Sequence, residues 1–182
     1  MPIVNTKSTA ITNRDAVPPV INDGRLERST LESVIGSVTI NTTDTAGASY
    51  AAGSTYVLAS VPSSAFIRDV LLSNTAMTAG VISLGVARNS RDSAPNAFPV
   101  AIGATATALF ASGLSVASAA SKSNVTNQSG NLTIARQEQP LWQAAGLSAD
   151  PNTTLDIVAL LTTAPSAGGQ LQVEVRYADN SN

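Results

Sequence analysis

The amino-acid sequence predicts an all-β protein, either a sandwich or a barrel, and three observations carry this prediction. Short segments rich in β-branched residues follow one another at roughly 8–12-residue spacing, with turn residues between them. Residues 170–177 (QLQVEVRY) alternate strictly between polar and apolar side chains. This is the period of a strand with one buried and one solvent-exposed face. The 182 residues, with a mass of 18.5 kDa, suffice for one domain with a proper core.

The first part of the chain is a stretch that cannot fold alone. Residues 1 to about 28 show no repeating apolar period, and the rigid pair Pro18-Pro19 holds the chain extended around Val20 and Ile21. A segment without its own core either stays a disordered tail or becomes ordered by lying on something else, and we favour contact with another copy of the chain or with a larger partner. We therefore predict two parts, an extended N-terminal arm over residues 1–30 and a β domain over residues 31–182.

The first half of the β domain contains five predicted strands. They cover residues 34–42, 55–61, 65–73, 81–88 and 98–102. The third of them places Phe66, Val70 and Leu72 on one side, together with Arg68. Turn-forming Gly, Pro, Ser and Asn residues separate the strands and end each of them.

The middle of the chain carries a weaker signal. Residues 105–121 are rich in Ala and fit one helical face, but their Gly, Ser and Thr content disfavours a long helix. We expect a short strand or helical turn around residues 108–110, followed by an irregular loop to residue 130. One short helix is predicted over residues 140–147, because Pro140 suits a first helical turn and Gly146 a helix end.

Two strands are predicted near the C-terminus. Residues 155–161 are almost continuously apolar, which is typical of a central strand covered on both sides. Residues 170–177 form the alternating strand. The Pro- and Gly-containing segment 164–169 between them predicts that the two strands pair as an antiparallel hairpin.

The composition excludes whole classes of function. The chain has 10 basic and 12 acidic residues, a formal net charge of −2, so it lacks the basic face with which proteins bind nucleic acid. It has no His and no Cys. The absence of these two residues excludes Ser–His and Cys–His nucleophiles, zinc, haem and iron–sulfur ligation, and disulfides. We expect no cofactor, no metal and no enzymatic activity.

The remaining candidate catalytic, metal-binding and ligand-binding residues have structural explanations. The carboxylates are scattered, with no pair set in an apolar motif of the kind a glycosidase uses. Residues 113–117 (GLSVA) lack the final Gly of a nucleophile elbow. Asp150-Pro151-Asn152, followed by Asp156, is interpreted as a turn rather than a calcium loop. Trp142 is interpreted as a side chain that covers one end of the hydrophobic core rather than as a binding site for sugar or protein.

Targeting signals are also missing from the sequence as read. No apolar run or small-residue cleavage site follows Lys7, and no window approaches ~20 unbroken apolar residues. We therefore expect a protein that is made in a cytoplasm and does not associate with a membrane.

Four stretches of the chain resemble a known family. They are residues 18–22 (PPVIN), 53–56 (GSTY) leading to 61–67 (VPSSAFI), 140–147 (PLWQAAGL) with 150–151 (DP), and 173–177 (VEVRY). The sequence is similar in these stretches to the small capsid decoration, or cement, proteins of tailed bacteriophages. The resemblance implies a jelly-roll-like antiparallel β-sandwich with an extended N-terminal arm and one short helix near residues 140–147.

The resemblance also implies a function. Such a protein is a structural virion component that binds the outer surface of the capsid, contacts the major capsid protein and copies of itself (as a homotrimer or homodimer), and bridges neighbouring shell subunits. It would be made in the host cytoplasm and end on the capsid exterior, with neither nucleic acid nor membrane as a partner. The arm residues expected to contact the shell are Ile3, Val4, Ile11, Val17, Pro18, Pro19, Val20 and Ile21.

An alternative function comes from another class. Jelly rolls also serve as lectins, so the chain could be a carbohydrate- or receptor-binding module of a phage tail or fibre. Sugar platforms usually present exposed Trp or Tyr, whereas this chain has one Trp and three Tyr. The low aromatic content favours the capsid function.

Overall fold

The computed structural model describes residues 16–18, 30–41, 51–89 and 100–179. Within these ranges the chain forms nine strands and three one-turn helices. In chain order they are β1 (Leu31–Ile40), β2 (Thr55–Pro62), β3 (Phe66–Asn74), β4 (Val81–Arg88), β5 (Val100–Ala101), α1 (Ala104–Thr107), β6 (Ala111–Ser115), β7 (Ala120–Asn124), α2 (Ile134–Gln137), α3 (Leu141–Ala144), β8 (Thr154–Thr163) and β9 (Gly169–Ala178).

The strands form two antiparallel sheets, which confirms the predicted all-β sandwich. The first sheet has the order β1-β9-β3-β7. The second has the order β2-β8-β4, and β5 and β6 pair with different parts of the remaining edge of β4. From β1 to β4 and from β7 to β9, each strand lies in the opposite sheet from the one before it.

The core lies between the two sheets. Leu171, Val173 and Val175 of β9 are fully buried, as their strict alternation with polar residues predicts. Ile157 and Leu161 of β8 belong to the same buried cluster. The inward faces of the two sheets therefore share one continuous apolar layer.

Strand β8 is buried on both sides, as its apolar run predicts. Ile157 lies in the core, while Asp156 and Val158 point away from it and are still only 3% and 1% exposed. Part of this outer side is covered by α1, because a Cβ added to Gly85 of β4 would lie 2.1 Å from the carbonyl oxygen of Ala106. The second sheet is thus covered on two faces along β8 and β4.

The predicted hairpin between the last two strands is wrong. β8 pairs with β2 and β4 in the second sheet, and β9 pairs with β1 and β3 in the first. Since both edges of each strand are occupied, neither can pair with the other, and residues 164–168 cross between the sheets. The N–H of Ser166 donates to the carbonyl of Thr78 (2.9 Å), and the N–H of Thr75 donates to that of Gln170 (3.0 Å). These bonds hold the crossing against the connection from β3 to β4.

The predicted face of β3 is wrong at its start. Val70 and Leu72 lie in the core cluster as predicted. Ile67 joins them there, and Phe66 does not. A bulge at Arg68 inserts one extra residue between the positions paired with β9. One inserted residue reverses which side chains face the core, and alternation alone does not reveal it.

The stretch predicted as an irregular loop contains two strands. β6 pairs with β4 and β7 pairs with β3, while the helical turn expected near residues 108–110 lies at α1. Most residues of β6 and β7 are small and exposed, so they carry no apolar alternation. The side-chain amide of Asn74 donates to the carbonyls of Val116 (3.3 Å) and Ser118 (2.9 Å) and so fixes the connection between the two strands.

The short helix predicted over residues 140–147 is confirmed in shortened form as α3. Pro140 precedes its first residue, and Gly146 has a φ of +87°, which favours glycine and ends the helix. The single turn of α2 was not predicted. None of the helices in the described ranges is long and apolar enough to cross a membrane.

The two sheets approach each other closely along one edge. β1 and β2 are edge strands of different sheets, and a Cβ added to Gly36 of β1 would lie 1.6 Å from the carbonyl oxygen of Leu58 of β2. A bulge between Val57 and Ala59 takes Leu58 out of register with β8. Only a glycine allows the two backbones to come this close.

We predict that Gly36→Ala separates this edge and lowers the free energy of unfolding by about 3 kcal/mol, because backbone rather than a movable side chain opposes the new methyl group. Urea unfolding measures the loss. The matched control is Gly103→Ala, where the backbone is extended and no atom lies within 4 Å of the new Cβ. The control should change stability by less than about 0.5 kcal/mol. Equal losses in the two variants would contradict the close approach.

Candidate interaction surface

The arm residues predicted to contact a shell are described only in part. Val17 is 97% exposed and Pro18 is also exposed. The others, Ile3, Val4, Ile11, Pro19, Val20 and Ile21, lie outside the described residues. Of the predicted set, the structure therefore places one large apolar side chain, Val17, entirely at the surface.

The outer face of the first sheet is a polar surface, built by the alternation of β9. The side chains of this strand that do not enter the core, Gln170, Gln172, Glu174 and Arg176, all lie on this face. The register places polar residues of β1 and β3 beside Gln172 and Arg176, whereas the apolar residues Ile35 of β1 and Leu71 of β3 lie beside Glu174. We call this surface the polar face.

An ionic cluster occupies one part of the polar face. The Glu174 carboxylate lies 2.8 Å from Nε of Arg176 and 3.1 Å from Nζ of Lys122. Lys122 of β7 is held in place by its backbone N–H, which donates to Oγ of Ser73 (2.9 Å). Hydrogen bonds from Arg176 and Lys122 hold the pKa of Glu174 below its ordinary value of 4.5. The cluster ties β7 to the centre of the sheet.

A shallow depression of about 340 Å³ occupies the other part of the polar face. It spans β1, β9, β3 and the start of β7. The nine described residues that line it carry no charge. Two rows of polar side chains cross it, and they are Ser37–Gln172–Ser73 and Thr39–Gln170–Thr75.

Exposed apolar side chains are concentrated on β1. Leu31 and Ile35 are 59% and 60% exposed and lie on the outer side of the strand, at the margin of the polar face. Val57 on β2 is 40% exposed, and Ile134 on α2 is 79% exposed. Single exposed apolar residues are common on protein surfaces, so among the described residues only the pair on β1 forms a local feature.

The structural explanations of Asp150 and Trp142 are confirmed. Oδ1 of Asp150 accepts hydrogen bonds from Oγ of Ser63 (2.5 Å) and from the N–H of Asn152 (2.9 Å), which is the predicted turn. Trp142 is half-buried against the core, and its backbone N–H donates to the carbonyl of Ser63 (3.0 Å). α3 is therefore fastened to the turn between β2 and β3.

The other two residues considered for chemistry, Asp156 and Ser115, also make local hydrogen bonds. Asp156 is buried on β8 and accepts a hydrogen bond from Oγ of Ser60. Ser115 is the last residue of β6, and its Oγ accepts a hydrogen bond from the N–H of Ala117 (3.3 Å). In the described part of the chain, no three Asp or Glu side chains gather to hold a metal ion.

Comparison with known proteins identifies the fold. No protein-family model matches the sequence, and no curated protein matches it. A chain of the capsid asymmetric unit of cyanophage Pam1 is similar over 98% of this chain and 99% of that chain, with 17% identity and a TM-score of 0.51. A chain of the capsid of Ralstonia phage GP4 is similar over 86% of this chain and 89% of that chain, with 11% identity and a TM-score of 0.56. This chain shares its fold with chains of two phage capsids.

Sequence reasoning missed the polar depression. The sequence does contain a signal for it, because Gln170 and Gln172 alternate with the core residues of β9 and therefore lie together on its outer face. The rows form only because β9 lies between β1 and β3. The predicted hairpin with β8 would have given these glutamines different neighbours.

We predict that Glu174→Gln destabilises the protein in a pH-dependent way. Because the pKa of Glu174 is lowered in the folded state, its carboxylate stabilises the fold at pH values above about 4.5, and this stabilisation is lost as the pH falls through the folded-state pKa. The difference in urea midpoint between the wild type and the variant should be largest at pH 7 and should shrink below pH 4.5.

A double-mutant cycle provides the control for this prediction. In a Lys122→Gln background the same Glu174→Gln substitution should cost less, because one of the two cations that lower its pKa is gone. A midpoint difference that is the same at pH 7 and at pH 3 would show that Glu174 acts through packing instead of charge.

Proposed function

We propose that this chain is a structural virion protein that binds the outer surface of a phage capsid and stabilises it by bridging neighbouring shell subunits. One observation carries the proposal. The likeness to a chain of the Pam1 capsid asymmetric unit runs over nearly the whole of both chains, so the two have matching size as well as fold. A chain of this size and fold is thus a component of a known phage capsid.

The arrangement of the strands supports the proposal. β1 lies beside β9 and β2 beside β8, and the connections from β1 to β4 and from β7 to β9 cross between the sheets. Such crossing connections favour the jelly-roll arrangement implied by the sequence resemblance. A sandwich closed in this way is rigid, and a clamp between shell subunits needs rigidity.

The chemical inventory is consistent with a structural function. The sequence lacks His and Cys, and the carboxylates of Asp150, Asp156 and Glu174 take part in a turn, a strand contact and the ionic cluster, respectively. Neutral polar surfaces suit the wet, hydrogen-bonded interfaces of protein assemblies.

The arm supplies the proposed shell contact. Val17, together with Ile3, Val4, Ile11, Pro18, Pro19, Val20 and Ile21, forms the contact set. Contact with the shell would cover Val17, which is fully exposed in the single chain. Binding through several copies at once would raise the total affinity without requiring strong individual contacts.

The first experiment is co-sedimentation of the purified chain with capsids of its own virus that lack it. We expect saturable binding at a fixed ratio to shell subunits, and the ratio identifies the symmetry position and the oligomeric state. Failure to bind intact capsids would overturn the proposal and favour a receptor-binding module of a tail or fibre.

We predict that Val17→Asp weakens capsid binding at least tenfold without changing stability, because it places a charge in the proposed contact while the side chain touches little in the free chain. Ile134→Asp is the matched control, since it also replaces an exposed apolar residue by Asp, on α2. Equal binding by the two variants would count against the arm.

Deletion of residues 1–30 tests the arm as a whole. The truncated chain should lose capsid binding and keep the far-UV circular dichroism and cooperative unfolding of the sandwich. Undiminished binding by a folded truncated chain would show that the shell contact lies in the sandwich.

A further inference from the structure

We propose that the depression on the polar face is a binding site for an uncharged saccharide. This proposal concerns a second site on the chain and does not rest on the capsid function. It rests on the register of three neighbouring strands, which brings six neutral hydroxyl and amide side chains into one concave array.

The array consists of two parallel rows. In the first row, Gln172 of β9 lies between Ser37 of β1 and Ser73 of β3. In the second, Gln170 is paired with Thr39 of β1 on one side and bonded to Thr75 on the other. Neighbouring strands lie about 4.8 Å apart, so each row offers an amide flanked by two hydroxyls across about 10 Å.

Two of the hydroxyls are held in fixed positions. Oγ1 of Thr75 accepts the backbone N–H of Gln170 (2.8 Å), and Oγ of Ser73 accepts the backbone N–H of Lys122 (2.9 Å). A hydroxyl that accepts one such bond still has its own proton to donate and a second lone pair. Because their positions are set before a ligand arrives, these hydroxyls lose little conformational entropy on binding.

The chemistry of the lining selects the ligand class. A saccharide presents hydroxyl groups that both donate and accept, and the array offers both in alternation, since each Gln side chain carries an NH₂ donor and a carbonyl acceptor. None of the described residues that line the depression is charged, so none of them compensates the desolvation of an ionic ligand. A volume of about 340 Å³ falls within the range of small-molecule sites and suits a mono- or disaccharide unit.

The affinity of a single site should be low. The described lining residues include no aromatic ring on which a sugar could stack, so binding to them depends on hydrogen bonds that replace those to water. We expect a Kd on the order of 1 mM for one site. Several copies held together on one surface would convert weak single sites into strong attachment to a polysaccharide.

Nuclear magnetic resonance titration of the full-length chain tests the proposal. The probes are four neutral disaccharides: maltose, lactose, chitobiose and mannobiose. We expect at least one of them to shift the backbone amide signals of residues 37–39, 73–75 and 170–172 in a saturable way. If no probe causes saturable shifts at concentrations well above the millimolar range, or if the shifts map elsewhere, the assignment is wrong.

A double variant and its control complete the test. Gln170→Ala combined with Gln172→Ala removes the central amide of both rows and should weaken saccharide binding by roughly tenfold or more. Gln143→Ala removes an exposed amide from α3 and should leave the affinity unchanged. Unchanged affinity in the double variant would contradict the proposal. Co-sedimentation of the double variant with capsids reads out the proposed function separately, so the two can fail independently.

Discussion

The packing of β8 against β9 across the core is the interaction on which the rest of the structure depends. Each is flanked by two strands of its own sheet, and together they contribute Ile157, Leu161, Val173 and Val175 to the buried layer. Burying an aliphatic side chain of this kind contributes about 1.5–3 kcal/mol, so these two strands supply a large share of the driving force for folding. The polar face exists because β9, once its apolar side is buried, must direct its glutamines, Glu174 and Arg176 outward.

Close backbone contacts and side-chain bonds to backbone hold the elements of the sandwich together. Gly36 lets β1 approach the backbone of β2, Gly85 lets α1 lie on β4, and Asn74 fastens the connection between β6 and β7. A larger side chain at either glycine would clash with the neighbouring backbone, and loss of the Asn74 amide would break its two hydrogen bonds. The elements are therefore packed closely against one another, which suits both proposed functions, because a bridge between shell subunits and a preset array of hydroxyls each lose affinity if the scaffold deforms.

The elements that were predicted well are those whose apolar pattern matches their burial. β4 has the predicted bounds, β9 alternates as expected, and β8 is covered on both sides. The elements that were missed carry no such pattern. β6 and β7 are formed by small, exposed residues that pair with strands already present. The bulge at Arg68 leaves the composition of β3 unchanged, so alternation placed Phe66 on the wrong face.

The sequence by itself determined the fold class, the positions of most strands, the inward face of β9 and the exclusion of chemistry that needs His or Cys. These follow from local periodicity and composition. Only the tertiary structure decided that β8 and β9 lie in different sheets, and hence which side chains stand beside Gln170 and Gln172. The physical reason is that a strand's period reports which side is buried, whereas the choice of neighbour depends on which edges remain unoccupied once all strands have packed.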